Sequence, residues 1–146
     1  MSQSVANDAL TTLAATIATW VADPDSDVVY AEWVEDRWAI RMLQQVREAT
    51  TVWFWVGERS LIAEAYVLPS PERTGPVYRQ ALFRNGRSFR AHFALDGEGA
   101  IVLRSRLPVE RVTSEELSYL IAEIYEAVEL SFRPMLEAGR QRENDP

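Results

Sequence analysis

His92 is the only histidine in a chain of 146 residues that contains no cysteine. Those two facts set narrow limits on the available chemistry. No thiolate can attack a substrate, ligate a metal or close a disulfide. A single imidazole can carry a proton, but general acid–base catalysis needs a second group within hydrogen-bond reach. A metal site needs several converging ligands, and nothing in sequence pairs with His92. Ser60, Ser88 and Ser105 stand in no G-x-S-x-G context. Asp96-Gly97-Glu98-Gly99 superficially resembles a calcium loop but is too short, because EF-hand ligands span about twelve residues. It reads as a hairpin turn. The residues therefore assign no catalytic, cofactor-binding or metal-ligating role, and the expectation is a protein without enzymatic activity.

Recognition chemistry is better represented. Trp33, Trp38, Trp53, Phe54, Trp55 and Tyr66 fall within one stretch of alternating residues. If Val52, Phe54 and Val56 face a core, then Trp53 and Trp55 face away from it. By the same alternation Glu64, Tyr66, Arg90, His92, Arg104 and Arg106 share the uncovered face. Indoles on an open face mark a contact surface, and aromatics with arginine are the stuff of interface hot spots. The expected partner is a polypeptide. Its apolar side chains would lie on Trp53, Trp55 and Tyr66, and its acidic groups would pair with Arg90, Arg104 and Arg106. Three other readings compete. The N-terminal residues or a second subunit could cover the tryptophans as plain structure, and a wholly apolar run such as 52–56 could be buried on both faces. Single-stranded nucleic acid could stack on Trp53 and Trp55. A small-molecule enzyme or sensor is a third possibility, with no nucleophile–base pair to support it.

These residues need a frame, and the spacing supplies one. Residues 5–22 suit a helix with Leu10, Leu13, Ala14, Ile17, Trp20 and Val21 on one face, Asn7 or Asp8 as N-cap, and Pro24 as the stop. From Val28 to Leu68 the period is two, giving strands over 28–33, 38–43, 51–56 and 61–68 with turns at Glu35-Asp36 and 57–60. Short connections make these strands antiparallel neighbours. Residues 69–76 are the one linker-like stretch and read as a surface loop inside one domain, with a domain boundary as the alternative. Pro76 opens a short helix over 77–84, with Tyr78, Ala81 and Leu82 inward and a left-handed glycine at Gly86 closing it. A hairpin follows, 89–95 and 100–107, with Phe89, Ala91, Phe93 and Leu95 inward on its first strand. Pro108 ends the second. Thr113-Ser114-Glu115-Glu116 reads as a capping box opening a long helix. Leu117, Leu120, Ile121, Ile124 and Val128 form its apolar stripe, and Pro134 kinks or ends it near Arg133. The expected fold class is α+β: a single antiparallel sheet of about six strands with helices packed on one face, in the order α-β-β-β-β-α-β-β-α. One domain would cover 1–138, and 139–146 would be a polar C-terminal tail.

Charge and composition narrow the partners. The net charge is −7, and every one of the fifteen cations is arginine. Residues 1–36 carry seven acids and no base, whereas residues 37–111 carry twelve arginines and seven acids. An acidic chain repels phosphate backbones, and no RNP-type motif is present, so nucleic acid is disfavoured. No apolar run approaches the ~20 residues of a membrane span. No cation precedes Arg37 to form a signal-peptide n-region, and a cytoplasmic location is expected.

Several local motifs look familiar. Val77-Tyr78-Arg79-Gln80-Ala81-Leu82-Phe83-Arg84-Asn85 resembles a helix of the YbjN-domain family of bacterial proteins. Phe93-Ala94-Leu95-Asp96 with Gly99, Arg106-Leu107-Pro108 and Ser114-Glu115-Glu116-Leu117 match as well. The likeness is strong over roughly residues 50–136 and rests on element order alone over 1–49. The family is described as sensory-transduction regulators and shares the fold of type III secretion chaperones. The resemblance implies helices on one side of an antiparallel sheet, protein binding as the activity, and a tendency to form a homodimer. It supplies no catalytic residue.

Overall fold

The computed structural model describes residues 2–140. Its elements are α1 (Ser2–Ala22), β1 (Val28–Val34), β2 (Arg37–Leu43), β3 (Ala49–Val56), β4 (Ser60–Leu68), α2 (Thr74–Asn85), β5 (His92–Leu95), β6 (Ile101–Pro108), a 3₁₀ turn (Val109–Arg111) and α3 (Ser114–Gly139). The six strands form one sheet in the order β1-β2-β3-β4-β6-β5, antiparallel throughout. Class and element order are those the sequence implies. Of the expected polar tail, 141–146 lie outside the described residues.

Strand alternation builds the core. Val28, Ile40, Met42, Val52, Phe54, Leu61, Ala63, Ala65, Phe93, Ile101 and Leu103 point to one face and are buried there. The helices cover that face. Leu13, Ile17 and Trp20 come down from α1, and Leu117, Leu120, Ile124, Val128 and Met135 from α3. Trp20 packs its ring 6.4 Å from Phe54 and donates through Nε1 to Ser118 Oγ at 3.3 Å, so one residue joins sheet, α1 and α3.

Local chemistry fixes the ends of several elements. Glu35 and Asp36 both take positive φ (49° and 66°). That is the type I′ geometry whose twist matches a two-residue hairpin. Asp96 Oδ1 accepts from the amides of Glu98 and Ala100, and Gly99 sits at φ 83°, so the acid–glycine run is a hairpin turn. Thr113 caps α3, its hydroxyl accepting from the Glu116 amide at 3.1 Å.

Several details differ from the sequence expectation. α1 begins at Ser2, so Asn7 and Asp8 lie inside it and cap nothing. Its buried face is Ala9, Leu13, Thr16, Ile17 and Trp20, while Val21 is 40% exposed. Thr16 tolerates burial because its hydroxyl donates to the Thr12 carbonyl and shares a hydrogen bond with Ser114 Oγ. α2 begins three residues before Val77 and buries Val77 and Ala81, turning Leu82 outward. Gly86 has φ −64° and is not left-handed. β5 is short, starting at His92, so Phe89 and Arg90 precede the strand. Pro108 pairs with Ser60 as the last residue of β6. The Glu116 carboxylate binds Arg90 instead of closing a capping box.

α3 continues through Pro134. A proline inside a helix leaves the carbonyl four residues earlier without its amide donor. Here that group is the Leu130 carbonyl, and Arg84 Nη2 from α2 donates to it at 2.9 Å.

Candidate functional site

The face of the sheet away from the helices is built in cross-strand rows. One row reads Glu32, Ala39, Trp53, Glu64, Arg104 and His92, each opposite the next on the neighbouring strand. A second carries Trp55, Ile62 and Arg106. A third carries Tyr30, Arg41 and Thr51 across β1, β2 and β3, and Tyr66, Val102 and Ala94 across β4, β6 and β5. Side chains opposite one another sit within about 5.5 Å at Cβ, so each row is a continuous strip.

Six of the seven residues expected on this face share it: Trp53, Trp55, Tyr66, His92, Arg104 and Arg106. Trp53 and Trp55 are half-buried, and Tyr66 is exposed. Glu64 and Arg104 form an ion pair, with Arg104 Nε donating to Glu64 Oε1 at 3.0 Å. At a partly exposed site such a pair contributes about 1 kcal/mol or less. It fixes two charges as a neutral unit between Trp53 and His92. Arg106 is exposed and has no carboxylate within ion-pair distance among the described residues.

Arg90 is elsewhere. It lies before β5, and its Nε donates to Glu116 Oε1 of α3 at 2.7 Å. Its guanidinium also lies over the Phe89 and Tyr119 rings. Hydrogen bonding to Arg90 holds the Glu116 carboxyl below its usual value, against the opposing effect of partial desolvation. The alternation that placed Arg90 with His92 fails because the backbone at 90 is not yet strand. Glu123 of α3 takes the amides of Arg90 and Ala91, and that pins the entry to β5 toward the helices.

Arg37 was not among the expected residues and belongs here. Its guanidinium carbon lies 4.4 Å from the centre of the Trp55 ring. The signal was present: Arg37, Ala39 and Arg41 alternate with Trp38, Ile40 and Met42, so β2 turns its arginines to the same side as Trp53 and Trp55. Trp33 and Trp38 pair with each other across β1 and β2, ring centres 5.4 Å apart and edge to face, on the opposite side of the sheet from Trp53.

Two buried or half-buried charges hold the frame behind this face. Arg47 donates to the carbonyls of Tyr66 and Val67, both at 2.7 Å, and its guanidinium lies over Phe132. Those carbonyls fall where the β4–β6 register shifts between Tyr66 and Leu68, so Arg47 satisfies a bulge and sets Tyr66. Burial lowers the Arg47 pKa, with the nearby Tyr66 opposing. Glu129 of α3 accepts from the Gln45 and Val46 amides and from Gln44 Nε2, tying the β2–β3 connection to the helix. Burial pushes its pKa up, but these hydrogen bonds and Arg133 leave it below the usual carboxylate value.

Among the described residues, no three His, Cys, Asp or Glu side chains converge on a metal position, and no helix is long and apolar enough to cross a membrane.

Comparison with known proteins agrees with this geometry. Two solved structures share the fold. The ExsC–ExsE complex aligns with a TM-score of 0.59 at 17% identity, covering 84% of this chain and 92% of that one. The Yersinia pestis type III secretion chaperone SycH, in complex with a fragment of YscM2, aligns with a TM-score of 0.53 at 14% identity, covering 90% and 99%. The uncharacterized protein ML2442 of Mycobacterium leprae (strain TN) is 36% identical over 85 residues, 58% of this chain. That match spans less than half of the relative, 46% of its length. The model of the YbjN family, described as "Putative bacterial sensory transduction regulator", matches residues 14–137, and the chain belongs to that family.

Proposed function

We propose that this protein is a non-enzymatic, chaperone-like or regulatory module that holds a polypeptide partner on the helix-free face of its sheet. The single observation that carries the reading is the strip of Trp53, Trp55, Tyr66 and Arg106, with Arg37 over Trp55, left uncovered by the helices. The fold supports it, because SycH and ExsC are seen in complex with other proteins. In the proposed mechanism the partner's apolar side chains displace water from the two indoles and Tyr66. Arg106 and Arg37 then meet its carboxylates, while Arg104 is already occupied by its ion pair with Glu64. His92 closes the row at the sheet edge.

We further propose that residues 1–138 act as one domain, that the protein works in the cytoplasm, and that it is a homodimer. Light scattering at micromolar concentration tests the last point, with twice the chain mass of 16.6 kDa expected. Affinity purification from the native host with mass spectrometry tests the function. A defined protein partner should be recovered with the wild type and lost with Trp53→Ala plus Trp55→Ala. Full recovery on the folded double variant contradicts the reading.

A further inference from the structure

We propose that the groove between α2 and α3 is a second docking site, separate from the sheet face, and that its occupant is an amphipathic helix of another protein with carboxylates along one flank. The groove has a volume of about 780 Å³, within the range of built binding clefts. Phe83, Phe93, Ala127 and Leu130 supply its apolar lining. Phe83 in that lining is 63% exposed, and two side chains near it in sequence, Leu82 and Phe89, are exposed at 72% and 77%. Three such side chains close in sequence exceed the scattered apolar exposure of an ordinary surface.

The charges give the occupant its polarity. Arg79, Arg84 and Arg87 line the α2 side, and Glu123 and Glu126 the α3 side. Arg84 is committed to the Leu130 carbonyl and Glu123 to the Arg90 and Ala91 amides. That leaves two exposed guanidiniums, Arg79 and Arg87, facing the groove without a carboxylate partner among the described residues. Arg87 is held over the Phe83 ring, 4.7 Å from its centre, so charge and apolar anchor are presented together. A helix whose carboxylates run along the α2 side complements this arrangement.

The backbone favours a helix over a strand. β5 is an edge strand, which would ordinarily recruit an added strand. Here Asn85 occupies that edge: its Oδ1 accepts from the Phe93 amide at 2.6 Å and its Nδ2 donates to the Phe93 carbonyl at 3.0 Å. The Ala91 amide is taken by Glu123. Both backbone groups of Phe93 and the amide of Ala91 are therefore already taken on this edge. An occupant must dock through side chains, as a helix in a groove does.

The test uses the full chain and a labelled synthetic peptide of about eighteen residues, five helical turns, with a Leu/Ala face and a Glu flank. Fluorescence anisotropy should show saturable binding, at least about tenfold weaker for the same peptide with Lys in place of Glu. Phe83→Ala, and Arg79→Glu with Arg87→Glu, should each weaken it about tenfold or more. Circular dichroism should stay unchanged because these side chains are exposed. Trp53→Ala with Trp55→Ala should leave this binding intact, which separates the groove from the sheet face. Absence of saturable binding, equal binding of the Lys peptide, or indifference to the groove variants overturns the proposal. So does a halved mass in light scattering of Phe83→Glu, because the groove would then hold a second copy of the chain.

Discussion

Arg84 of α2 donates a hydrogen bond to the carbonyl of Leu130, the group that Pro134 leaves without a donor inside α3. A helix break is thus repaired from a neighbouring helix, and α2 is tied to α3 at the repair. The bond lies at an exposed position, where water can replace a lost donor and the net worth of a hydrogen bond is about 0.5–1.5 kcal/mol. Arg84→Met should lower stability by about that much, or roughly 2–4 °C in Tm per kcal/mol for a chain of this size. In a Pro134→Ala background residue 134 regains its amide, and the same Arg84→Met change should cost much less. A double-mutant cycle by thermal or urea unfolding measures the difference. Additive costs would contradict the repair.

Glu129 makes stability depend on acid. Its folded pKa lies below the usual carboxylate value, burial opposing and the Gln45, Gln44 and Val46 donors prevailing. The unfolded chain takes up this proton near pH 4.3, whereas the folded chain resists it. The contribution is therefore fully present above that pH and is lost as pH falls through the folded value. Glu116, held down by Arg90, has the same sign. Glu129→Gln should be less stable than wild type at pH 7 by about 1–3 kcal/mol. The gap should narrow as pH falls below about 4.3. Urea midpoints from pH 7 to 3 check this, and a gap that does not change with pH contradicts it.

Asn85 closes the exposed edge of β5 by bonding both backbone groups of Phe93. Asn85→Ala should cost about 1–2 kcal/mol for the two lost hydrogen bonds. It should also open an edge that pairs with other chains, read as concentration-dependent aggregation on heating. Asn85→Asp should keep the acceptor to the Phe93 amide but lose the donor, and fall between the two. A variant as stable and as soluble as wild type contradicts the capping role.

Most of the architecture was legible because period and punctuation agreed. The alternation over 28–68 names four strands, the Thr113 cap and the stripe from Leu117 to Val128 name one helix, and all appear. The errors sit where tertiary contacts override local pattern. Asn85-Gly86 reads as a left-handed cap, yet Asn85 is drawn to the β5 edge and Gly86 stays in the helical region. Leu82 reads as core by spacing, but α2 is rotated to bury Val77 against the sheet and α3. Pro134 reads as a kink or an end, and the choice between them was not legible because the rescuing Arg84 is fifty residues away in sequence. On the open face, the alternation placed Trp53, Trp55, Tyr66, His92, Arg104 and Arg106 together. It misplaced Arg90, where the chain is not yet a strand, and it left out Arg37, which the same alternation in β2 puts on this face and whose guanidinium lies over Trp55.

The central claim is that Trp53 and Trp55 carry the energy of partner binding. Calorimetric titration of the recovered partner into wild type and into Trp53→Ala with Trp55→Ala measures it directly. The double variant should lose at least about 2 kcal/mol of binding, some thirtyfold in Kd, with the circular dichroism spectrum retained. Arg37→Ala alone should lose a smaller share, about 0.5–1 kcal/mol, through the cation–π contact that orients Trp55. A folded double variant that binds the partner within a factor of about two of wild type would contradict the account.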